Sequence, residues 1–158
     1  MTPANEQLQV RYLADLLHRT VDGPMWHGPS LSEALDGVDA AHAARRPIES
    51  AHSIWELVRH VTAWAQIAQA RLGETAVPDP TTEEDWPPVT ETGDDAWQRD
   101  LAAMRQAYGA LARAVRELPD TRLRDTVPGR DHSVRTLLHG VVEHGTYHGG
   151  QIVLLKKL

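Results

Sequence analysis

The chain has no cysteine. That absence excludes disulfides, thiolate nucleophiles and sulfur-ligated metal ions, so any transition-metal site must be built from histidine with carboxylate or water. Phenylalanine is also missing, which leaves five tryptophans and three tyrosines as the whole aromatic complement. No stretch approaches the roughly 18 consecutive apolar residues of a membrane span, and the polar segment from Met1 to Gln9 lacks the apolar centre of a signal peptide. The expected compartment is therefore the cytoplasm. Basic residues are in deficit, with 16 Lys and Arg against 22 Asp and Glu and a formal net charge of -6. A phosphate-binding face needs the opposite balance, so nucleic acid is not the expected partner. Runs of like charge, internal repeats and low-complexity segments are absent as well.

What is present fits one globular unit. A length of 158 residues, 41% hydrophobic and 24% charged, is enough for a single domain over residues 1–158 with one continuous core. Helical periodicity marks four segments, and no segment alternates as a strand does. The first runs from about Asn5 to Val21 on Leu8, Leu13, Leu16 and Leu17, and Gly23-Pro24 ends it. Ser30 or Ser32 caps a short piece over Leu31 to Leu35, and the section from Gly37 to Ala51 reads as a connector. The second helix opens on Ser53 with Glu56 three places later, the spacing of a capping box, and runs to Leu72 on Ile54, Leu57, Val61 and Trp64. Residues 73–93, with Pro78, Pro80, Pro87 and Pro88, form a connection too long for a tight turn. The third helix spans Asp94 or Asp95 to Leu118, and the fourth runs from Asp131 or Ser133 to Lys156. Four amphipathic helices without strands predict an all-α bundle.

Nine histidines are the compositional excess. Two occupy places that ought to be apolar. Stepping along the fourth stripe from Leu137 and Val141 leads to His144, His148 and then Ile152. An i, i+4 spacing puts the two imidazoles on one face, one above the other, which lets both grip a single ion. On the second helix His60 falls between Leu57 and Trp64 at the edge of the buried stripe. Burying three unpaired imidazoles is costly, and a shared metal ion removes the cost. The bland alternative is a set of hydrogen-bonded core histidines in a plain helical module. Gly145, Gly149 and Gly150 flank the pair, and each costs a helix about 1 kcal/mol relative to alanine. They point to close approach of another backbone or room for a ligand; a kink or helix end near Gly149-Gly150 is the other reading. His27, in a Trp-His-Gly-Pro turn, is a candidate pocket-mouth residue or fourth ligand. Glu143 and His27 are candidate proton shuttles, while Tyr147 and Gln151 lie near enough in sequence to orient a ligand.

The segments Ser53 to Trp64 and Glu143 to Ile152 resemble the DinB superfamily, including its YfiT-like members. There, a histidine of the second helix pairs with an HxxxHxGQ-type motif of the last. This chain carries His144-x-x-x-His148-Gly149-Gly150-Gln151. The resemblance implies a four-helix bundle of up-down-down-up topology, a divalent metal ion (nickel or zinc) on His60, His144 and His148, and a homodimer. It implies a small-molecule substrate and an enzyme that is either a transferase using a low-molecular-weight thiol or a metal-dependent hydrolase. A non-catalytic metal-binding or small-molecule-binding stress-response protein is the alternative. In that topology His60, about 12 Å from the start of its helix, meets His148 at one level. The Trp26-His27 turn sits at that same end, and the long connection carries Trp86 back to it.

Overall fold

The structure, a computed structural model, describes residues 7–158. Among them no β-strand forms, and seven α-helices make the protein all-α. Four are long: α1 (Leu8–Asp22), α4 (Ile54–Ala70), α6 (Asp94–Arg116) and α7 (Val134–Leu155). Three are single turns: α2 (Leu31–Leu35), α3 (Ala40–Ala44) and α5 (Thr82–Asp85). No described helix is long and apolar enough to cross a membrane.

Local chemistry sets the helix starts. The predicted capping box at Ser53 forms, with Glu56 N–H donating to Ser53 Oγ at 3.2 Å and Ser53 N–H donating to Glu56 Oε2 at 2.7 Å. Ser30 with Glu33 and Thr81 with Glu84 repeat it at α2 and α5. Of the two starts expected for the last helix, Ser133 is the one used; its Oγ accepts from Thr136 N–H. The expected beginning of the first helix at Asn5 lies outside the described residues. Its described start is capped from a distance, because Gln9 and Val10 N–H both donate to the carboxylate of Asp120, in a 3-10 turn over Asp120–Arg124.

The long helices enclose one apolar cluster. Each of α1 and α4 packs against both α6 and α7. The α6 stripe is buried as expected from Leu101 through Val115. On α1 Leu13 and Leu17 are buried and Leu16 is partly buried as expected, whereas Leu8 is exposed and Val10, Ala14 and Val21 complete the buried face. α4 is buried well beyond one stripe, since Trp55, Val58 and Ala65 are inside along with Leu57 and Val61. Its small residues let neighbours close in on several sides. α7 runs unbroken through Gly145, Gly149 and Gly150, so no helix end falls there.

Three contacts fix the ends. Trp55 of α4 meets Trp97 of α6 with ring centroids 5.1 Å apart. Arg122 donates to the carbonyl of Leu72, just past the end of α4. Lys156, at the end of α7, donates to the carbonyls of Ala34 and Asp36. The connection after α4 passes Asp79, which pairs with Arg71 and Arg130, and then brings Asp85 and Trp86 alongside His60.

Candidate metal centre

His60 lies two turns into α4, and His144 and His148 lie one turn apart on α7. The structure brings the three rings together. Their centroids are 4.7 Å (His60 to His144), 4.8 Å (His60 to His148) and 4.5 Å (His144 to His148) apart. His144 Nε2 is 2.9 Å from His60 Nε2 and 3.1 Å from His148 Nε2. One nitrogen from each ring lies within 4.8 Å of the others.

Protons decide what this cluster can do. His60 Nδ1 is 2.6 Å from the carbonyl oxygen of Asp85, which only accepts, so Nδ1 carries the hydrogen and Nε2 a bare lone pair. His148 Nδ1 is 2.6 Å from Gln151 Oε1, and the same reasoning leaves its Nε2 bare. Both lone pairs face His144 Nε2. A hydrogen on that atom can satisfy only one of them. Among the described residues His144 Nδ1 is itself buried without a partner.

Burial pushes all three pKa values down. For His144 burial is the largest cause, followed by the neighbouring His148 and His60, and its pKa falls from the ordinary 6.5 to about 4. Burial lowers His60 against the opposing pull of Asp85, and lowers His148 against its hydrogen bond to Gln151. Three neutral imidazoles with convergent lone pairs are the donor set of a divalent transition metal. Three nitrogens at tetrahedral zinc distance would stand about 3.3 Å apart, close to the separations here. The residues present therefore fit the group that their chemistry implies.

A second layer holds the rings. Trp86 stacks flat on His60, with centroids 3.7 Å apart and planes 3° apart, and also stacks on His52 at 3.5 Å. Trp64 Nε1–H donates to Asp85 Oδ1 at 2.6 Å, which steadies the residue whose carbonyl orients His60. Sequence reasoning named Gln151 as a neighbour but missed Asp85 and the stacked His52. Asp85 and Trp86 lie just past a legible signal, the Thr81-x-x-Glu84 box, which seats α5.

An open cavity of about 1060 Å³ contains all three imidazoles in its wall. Two predicted positions lie elsewhere. His27 is exposed and does not line this cavity. Met25 and Gly28 pair across a tight turn whose tip, with Trp26 fully exposed, projects into solvent. Glu143 is exposed too, because one residue of helix turns it about 100° from the face of His144.

Residues 26–152 match the family model of the DinB superfamily. No curated protein and no solved structure matches the chain.

Proposed function

The chain belongs to the DinB superfamily, and from that premise we propose that it holds one divalent metal ion, nickel or zinc, through His60, His144 and His148 and acts as a metal-dependent enzyme on a small molecule. The observation that carries this reading is the proton inventory of the cluster: two bare lone pairs and a third ring nitrogen face one spot, with the outward hydrogens of His60 and His148 already committed.

Among the described residues the potential ligand group comprises those three histidines and no fourth side chain. Such a shell leaves positions open, the mark of a catalytic rather than a structural site. The bound ion would supply Lewis acidity to a water or a thiol. The chain does the rest. Asp85 and Gln151 hold two rings in the ligating tautomer, and Trp86 covers one face of His60. The cavity gives a substrate access to the inner face. A low-molecular-weight thiol as cosubstrate gives S-transfer, and water gives hydrolysis.

The same proposal includes an up-down-down-up four-helix bundle and a homodimer. End contacts support the helix directions. Trp55 and Trp97 sit near the starts of α4 and α6, Asp120 after α6 caps the start of α1, and Arg122 before α7 reaches the end of α4. Leu8 and Tyr12, both exposed on α1, offer apolar surface for a second copy, and light scattering reads the mass directly.

Elemental analysis of untagged protein tests the centre. About one metal per chain is expected, falling below about 0.1 in His60→Ala and His148→Ala. A wild-type value below about 0.1, with no affinity on titration, overturns the reading. Metal-loaded protein with a thiol and an electrophile, beside His60→Ala, then tests catalysis.

A further inference from the structure

The cavity around the imidazoles has unlike ends. Along α4 and the residue that caps its end, the wall runs Leu57, His60, Trp64, Arg71; along α7 it runs Leu137, Val141, His144, His148, Leu154. Beyond the imidazoles on one side stand Ile48, Leu57 and Leu154, with Ser50 and His52 beside them. On the other side stands Arg71, whose side chain is 5% exposed.

Arg71 is an under-satisfied cation. Nη2 donates to Asp79 Oδ1 at 3.3 Å, a long contact to a carboxylate that is 76% exposed. Arg130 takes the same oxygen at 2.7 Å, so two guanidiniums share one carboxylate. Among the described residues Arg71 Nε is buried with no partner. Its Cζ lies 5.6 Å from the ring of Trp64, whose centroid is 5.8 Å from that of His144. Arg71 follows His60 by eleven residues, about 16 Å of helical rise, and Trp64 spans the gap between the guanidinium and the imidazoles. Leaving a buried cation half-paired is costly, and an anion from outside repays it. Burial, then the charge on Arg130, already pulls the Arg71 pKa below its ordinary value, as expected of a cation short of partners.

We propose that Arg71 is a substrate-binding residue that receives the carboxylate of an amphipathic carboxylic acid, whose apolar part lies towards Ile48, Leu57 and Leu154 and whose middle passes the three imidazoles. This assignment rests on the cavity being the substrate site of the proposed enzyme. It gives that enzyme a substrate class: acids with a hydrocarbon end.

Calorimetric titration of the metal-loaded protein with 4-phenylbutyrate and its neutral amide tests it. The acid is expected to bind about tenfold or more tighter than the amide. In Arg71→Gln that preference should shrink to within about twofold while metal content holds at about one per chain. Equal affinities in the wild type overturn the proposal. So does a preference that survives in folded Arg71→Gln, because the carboxylate is then on the metal. Asp79→Asn, at an exposed position, covers the case in which Arg71→Gln does not fold. Removing the competing carboxylate should tighten the acid several-fold, and an unchanged or weaker affinity overturns the proposal. Repeating the titrations after chelation separates the two readings. A preference that depends on Arg71 should persist without metal, so a failed metal analysis removes the proposed enzyme without touching this outcome.

Discussion

Single atoms decide whether three histidines are a core or a centre. Gln151 is the clearest case, since its Oε1 accepts from His148 Nδ1 and thereby turns the bare nitrogen inward. Partners of this kind typically contribute 10- to 100-fold in metal affinity. Gln151→Ala should weaken metal binding by roughly that factor with little change in fold, measured by competition against a chromophoric chelator. Proton linkage gives a second expectation. The folded pKa of His144 lies below that of the unfolded chain, near 4 against 6.5, and His60 and His148 are shifted in the same direction. Between those values the unfolded chain binds more protons, so stability is full above about 6.5 and drains away as pH falls towards 4. Urea midpoints of chelated protein from pH 7.5 to 4.5 should fall, and His144→Gln should flatten part of the slope. The two α7 histidines were legible because they interrupt an apolar stripe that resumes at Ile152. Asp85 was not, because its backbone carbonyl does the work and every residue has one.

At the scale of the helix, α7 answers why glycines crowd the motif. A Cβ at Gly145 would come within 2.7 Å of Thr20 Cγ2 and 2.9 Å of the Tyr108 hydroxyl oxygen. Gly145→Ala should therefore destabilise by about 1–3 kcal/mol through overpacking, even after the gain in helix propensity. Gly150 has nothing within 4 Å of such a Cβ, so Gly150→Ala should stabilise by up to about 1 kcal/mol. Thermal melts of the two variants without metal check both signs. Gly145 is closely approached, but by the side chains of Thr20 and Tyr108 and not by the second backbone expected from the sequence. Elements with a period were placed to within a few residues, as Ser53 and Ser133 show. α5 was missed because a single turn has no period to detect, and the capping pair Thr81 and Glu84 was its only trace.

For the molecule as a whole, the centre ties α4 to α7, so metal and fold stability are linked. Metal at a thousandfold excess over its dissociation constant should stabilise the folded chain by about 4 kcal/mol. Calorimetry should show the melting temperature rising with metal, returning on chelation, and barely responding in His148→Ala. An all-α chain with a continuous core could be inferred from four periodic segments. The return of Trp86 to the histidine end followed from the resemblance, but the side chains that seat residues 73–93 did not, since an aperiodic stretch is positioned by long-range partners. Here those are Arg71 and Arg130 for Asp79, and His60 and Trp64 for Asp85.

Trp86 lies flat against His60, and Trp64 sits beside His144. The centre thus carries its own lamp. Open-shell nickel would darken the ultraviolet emission of these indoles, whereas zinc, with its filled d shell, would leave them bright. A cuvette can then distinguish the two occupants without an added dye.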